Sequence, residues 1–163
     1  EENLFNNKNI QMTNRIEKVE NLGSYLREGE FKNLFDLVGI INQSDPKQKY
    51  LEDSEMIYIQ RFKENNKLED LYSILISQIL QRKIIQANET INLILKYDNN
   101  NGNAYLTKAI LNLYLFDSKG ARSSINKSKE LQISQEGHEY LNIIEGLNYL
   151  LEMKFINAYN AFT

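Results

Sequence analysis

Apolar residues recur every three or four positions from Ile10 onward. Met12, Ile16, Val19, Leu22 and Leu26 form the first such row, which stops at the Arg27-Glu28-Gly29-Glu30 turn. This spacing lines one face of an α-helix. Residues 1–9 set Asn3, Asn6, Asn7 and Asn9 around a lone Leu4-Phe5 pair, and their lack of periodicity predicts a flexible lead-in. A second row, Phe31, Leu34, Phe35, Leu37, Val38 and Ile41, ends at Ser44-Asp45-Pro46, where proline bars its predecessor from α geometry. A third helix is expected over 47–63, on Leu51, Met56, Ile59 and Phe62. No Gly or Pro falls between Leu68 and Tyr97, and the pattern reads as two helices meeting near Gln81-Arg82-Lys83. The Asp98-Asn99-Asn100-Asn101-Gly102 cluster marks a loop. Helices are then expected over 104–116, 121–133 and about 138–153, with a last one starting near Phe155. The fold class is all-α, with about nine helices.

The rows repeat. Laying Tyr140 over Asn103, a shift of 37 residues, puts Gly146 on Ala109, Leu147 on Ile110, Leu150 on Leu113, Ala158 on Ala121 and Phe162 on Ile125. Small residues meet small ones and large apolar residues meet large, as close helix crossings require. An upstream copy lies 34 residues earlier, with Ala87 before Ala121 and Ile91 before Ile125. Residues 10–163 therefore read as a single helical-repeat domain. Its antiparallel hairpins lie at about 10–45, 68–98, 102–133 and 138–163, and 47–63 is an extra helix.

At Gly146, Tyr149, Phe155, Ala158 and Phe162 the chain resembles the tetratricopeptide repeat. Tyr25, Gly29, Phe31, Val38 and Asp45-Pro46 give a second local match, with Leu34 in place of the small residue. Tryptophan is absent, Asn112 stands where the later copy has Tyr149, and the terminal proline is confined to the first hairpin. The resemblance implies hairpins stacked as an α-solenoid, whose first helices line a concave, partner-binding face. In the register above that face comprises Tyr72, Ile76 and Ile79, then Leu106, Ile110, Leu113 and Tyr114, then Tyr140, Ile143, Leu147, Leu150 and Leu151. Family members that hold a C-terminal carboxylate use Lys, Arg and Asn there; the apolar positions here imply no such clamp.

The helix over 104–116 is hydrophobic nearly all round, so it needs cover on both sides, from its own chain, a second copy or a bound segment. The expected function is a non-catalytic scaffold that binds an apolar or amphipathic segment of another protein. The alternatives are a self-associating structural domain, so that a homo-oligomer is one expected state, and a regulatory helical domain of a larger protein.

Composition narrows the remaining classes. Nineteen basic and 22 acidic residues give a net charge of −3, without the basic block that a phosphate backbone would select, so nucleic acid is not an expected partner. The longest apolar stretch, Leu71 to Leu80, contains Ser73, Ser77 and Gln78 and is too short for a membrane span. The lack of cysteine removes disulfides and thiolate metal sites, which fits cytoplasm or periplasm alike and leaves the compartment open. Heavy use of Asn, Ile, Lys and Tyr suggests a bacterial source of low GC content, and a start at Glu1 is compatible with a removed leader.

His138 is the single histidine and reads as a turn or helix-start residue. The pairs Glu52-Asp53 and Glu69-Asp70 fall at helix starts, where carboxylates complement the dipole. The glycines form no phosphate loop, and Ser24, Ser123 and Ser124 lack any histidine close in sequence and read as polar surface. No catalytic residue, metal site or cofactor is expected.

Overall fold

The computed structural model describes residues 2–163, and their side chains except those of 2, 5, 8–13, 155 and 158. Among the described residues there are nine α-helices and no strand. They are α1 (Glu2–Glu28), α2 (Phe31–Ser44), α3 (Tyr50–Asn65), α4 (Leu68–Leu80), α5 (Ile84–Tyr97), α6 (Gly102–Tyr114), α7 (Ser118–Glu130), α8 (Gln135–Leu151) and α9 (Phe155–Phe162). The expected lead-in differs: α1 runs back to Glu2 instead of starting near Ile10. Nothing in that stretch breaks a helix, since the first glycine is Gly23 and the only proline is Pro46. Conversely, α3 starts at Tyr50, three residues later than expected, because the chain turns through Gln48 at φ +52°.

Helix ends show how this sequence turns with so few breakers. After α1 the chain enters the left-handed region at Gly29 (φ +71°), where the Gly29 amide donates to the Leu26 carbonyl and the Glu30 amide to that of Tyr25. The same closure recurs at Arg82 (φ +62°), Phe116 (φ +55°) and Met153 (φ +61°). In each case the following amide, of Lys83, Asp117 or Lys154, reaches back five residues, at 2.7–2.9 Å. Arg82, Phe116 and Met153 stand 34 and 37 residues apart, the two offsets of the sequence repeat. A non-glycine residue in this region costs about 1 kcal/mol, offset here by carbonyls that would otherwise be orphaned.

A polar rung repeats with the same register. The Thr90 hydroxyl of α5 donates to Gln78 Oε1 of α4 at 2.6 Å, and the Ser124 hydroxyl of α7 to Asn112 Oδ1 of α6 at 3.3 Å. Both pairs are buried, and the second lies 34 residues after the first. Ala87, Ala121, Ile91 and Ile125, the aligned residues of α5 and α7, are fully buried.

The core runs from α1 through α8. Val19, Leu22 and Leu26 of α1 pack with Phe31, Leu34 and Ile41 of α2, with Leu51 and Tyr58 of α3, and with α4, which is buried on every side from Asp70 to Gln78. α1 lies against α3, α4 and α6. At its crossing with α4, Gly23 comes so near the Tyr72 and Ser73 backbone that a Cβ would sit 3.0 Å from it. The Tyr58 hydroxyl ties α3 to α1 by donating to the Ile16 carbonyl at 2.6 Å.

Candidate functional site

The sequence places twelve residues on one face of α4, α6 and α8, and the structure divides them into three sets. Tyr72, Ile76 and Leu106 are buried, so these three expected surface positions are core instead. Part of the cover is α1: the Arg27 guanidinium lies 5.6 Å from the centroid of the Tyr72 ring, and Gly23 meets the Tyr72 backbone. Ile79, Ile110, Leu113 and Tyr140 pack against the core while remaining partly accessible, and Leu151 is also half-buried. Tyr114, Ile143, Leu147 and Leu150 are the exposed set, at 67, 48, 46 and 40%.

Ile143, Leu147 and Leu150 follow one another at helical spacing, so they form a continuous row on α8. The opposite flank of α8 explains why the row points away from α7. Arg122 of α7 stacks 4.3 Å from the Tyr149 ring centroid, bonds Glu145 at 3.2 Å and approaches Glu152 at 3.6 Å. Lys129 also pairs with Glu145. Burial pushes the Glu152 carboxyl up, but hydrogen bonding from Lys154 and the Arg122 charge outweigh it and hold the group below the usual carboxylate range. The ion pairs therefore clamp one side of α8 to α7, on the flank opposite the exposed row.

Helix α2 meets α8 just ahead of this row. Phe31 and Phe35 meet Tyr140 edge-on, with centroids 5.2 and 6.0 Å apart, and the Lys32 amide donates to Glu136 Oε1 at 2.9 Å. Glu136 of α8 thus supplies a carboxylate to the otherwise uncapped start of α2. One turn beyond Phe35 stands Gly39, where an added Cβ would find nothing within 4 Å. Gly23 and Gly146 have close neighbours; Gly39 faces open space, and past Tyr140 the α8 residues Ile143, Leu147 and Leu150 are exposed. Phe35, 53% exposed, extends the apolar surface from the α2 side. The sequence carries no signal for this meeting of α2 with α8, which joins residues about a hundred positions apart.

Near the turns that follow α1, α5 and α7, polar side chains bond one another and the backbone. The Tyr72 hydroxyl donates to Asp98 Oδ2 at 2.9 Å and accepts from Asn101 Nδ2 at 3.0 Å, while Asn101 Oδ1 caps α6. Burial first, then the hydrogen bond to Asp98, pushes the Tyr72 phenol far above its ordinary value. Ser134 caps α8 and donates its hydroxyl to the Gly29 carbonyl at 2.9 Å. Burial also pushes Asp70 up in the first turn of α4, with Arg61 acting in the opposite sense. His138 is exposed in the first turn of α8. Among the described residues no three His, Asp or Glu side chains converge as metal ligands, and no helix is long and apolar enough to cross a membrane.

No family model, curated protein or solved structure matches the chain.

Proposed function

We propose that this chain is a protein-binding helical array of tetratricopeptide-like design, whose contact surface is the apolar row Ile143, Leu147 and Leu150 of α8 together with the exposed Phe35 and Tyr114. The reading of repeated hairpins rests on the recurrence of the left-handed turn and the polar rung at the sequence offsets. The binding reading rests on one observation, a continuous apolar row that the chain covers at Tyr140 and then leaves open. A row of this kind at helical spacing suits the apolar face of an amphipathic or extended segment, and a specific complex would bury on the order of 1,200–2,000 Å² in total.

The test is capture from lysate of the source cells on immobilised wild-type chain and on Leu147→Asp. Because Leu147 is 46% exposed, the substitution is expected to leave the melting temperature nearly unchanged. A discrete set of proteins retained by the wild type and lost with the variant supports the row as the contact surface. Retention of the same proteins by both chains removes it.

A further inference from the structure

A cleft of about 610 Å³ opens at a different place, where α3 begins and α4 passes into α5. Leu51 and Leu80 line it beside four cations, Lys47, Lys49, Arg82 and Lys83, with a single carboxylate, Glu52. This excess of positive charge stands in a chain whose net charge is −3. Lys83 is occupied by Glu55, with Nζ–O distances of 3.2 and 3.3 Å. Lys47, Lys49 and Arg82 make no ion pair among the described residues.

The backbone adds to the imbalance. Lys49 and Lys83 flank the starts of α3 and α5, and neither helix has a side-chain cap. A lysine there offers no acceptor to the first-turn amides and opposes the positive end of the dipole. Glu52 and Asp53 counter this at α3, but α5 has no acidic residue in its first turn. The walls are held together, since Gln81 Nε2 donates to Glu55 Oε2 at 3.1 Å, to the Ser77 carbonyl at 3.0 Å and to the Leu51 carbonyl at 3.4 Å. Three cations without an ion pair among the described residues, set on one cleft with a single carboxylate, form a charge pattern that an anion completes.

We propose that this cleft binds a small phosphate-bearing anion, with Lys47, Lys49 and Arg82 supplying the charge. The site is separate from the apolar row and independent of its assignment. The probe is inorganic pyrophosphate, titrated into the ¹⁵N-labelled chain at about 0.15 M salt, where diffuse attraction is screened. Saturable amide shifts are expected at residues 47–53 and 81–86, with a dissociation constant raised at least tenfold in Lys49→Ala/Arg82→Ala. Both substituted side chains are exposed, and the variant's melting curve verifies its fold. Absence of saturation, shifts spread equally over the other lysines, an unchanged constant in the folded variant, or tighter binding of an acidic peptide to the same amides overturns the proposal.

Discussion

At the scale of single residues, Gly29 is constrained both by its backbone and by its neighbours. Its φ of +71° already favours glycine, and an added Cβ would lie 2.3 Å from Ser134 Oγ and 2.6 Å from Asn103 Oδ1. Gly29→Ala is expected to cost about 2 kcal/mol in chemical denaturation, more than an ordinary surface change. An unchanged midpoint would mean that the α1–α2 corner is not held against α6 and α8 as described. The polar rung makes a second prediction. Thr90→Val and Ser124→Ala each strand a buried amide oxygen and should each cost about 1–3 kcal/mol, adding when combined because the two rungs share no partner. A loss near zero in both would show the rungs to be incidental.

Glu152 makes the pH prediction. Its carboxyl is held below the ordinary 4.5 in the folded chain, so its contribution is present above that value and disappears as pH falls through the depressed one. Glu152→Gln should therefore be less stable than the wild type at neutral pH, by no more than about 1 kcal/mol as for a partly screened ion pair, and the gap should close as pH falls below the ordinary 4.5 and through the depressed value. A gap that widens in acid contradicts the assigned sign. These residues also mark what the sequence concealed. Arg82, Phe116 and Met153 carry the left-handed turns that glycine usually marks, so the breaks were legible only as interruptions of periodicity. Thr90 and Ser124 look like surface polar residues until their amide partners are seen.

At the scale of elements, the apolar rows located most helices to within a few residues, because each row must face a core. They also placed the break between α4 and α5, despite the absence of Gly or Pro. The aligned small residues do occupy close packing: Ala109 is buried, and Gly146 abuts the Phe162 ring, where a Cβ would come within 2.2 Å. Ala158 lies outside the described side chains. The role of α1 was not legible. The sequence assigns its row of Val19, Leu22 and Leu26 to a terminal hairpin; besides α2, it packs against α3, α4 and α6 and so helps close the face at Tyr72. Periodicity reports that a helix has an apolar side but not which helices will cover it. Leu22→Ala should accordingly cost about 2–5 kcal/mol, the loss expected of a fully buried leucine. A cost below 1 kcal/mol in an otherwise folded variant would place α1 outside the core.

At the scale of the whole molecule, the expected binding face is split by the chain's own N-terminal helices. Of the twelve residues read from the repeat register, three are core, five are partly covered and four are open. Three of the open ones, Ile143, Leu147 and Leu150, lie consecutively on α8, and Tyr114 stands at the end of α6. The repeat register was enough to find this row because it aligned α8 with its predecessors. The burial of Tyr72, Ile76 and Leu106 depends on a long-range docking that no local pattern encodes. Self-association and binding of a different protein compete for the same open row, and one measurement separates them. A photo-crosslinking amino acid at position 147, introduced into the chain in its source cells, should yield a discrete adduct with another protein, and the same group at exposed Lys96 should not. An adduct of the chain with itself would assign the row to a homo-oligomer. No adduct, or the same adducts from positions 147 and 96, would contradict the proposed binding surface.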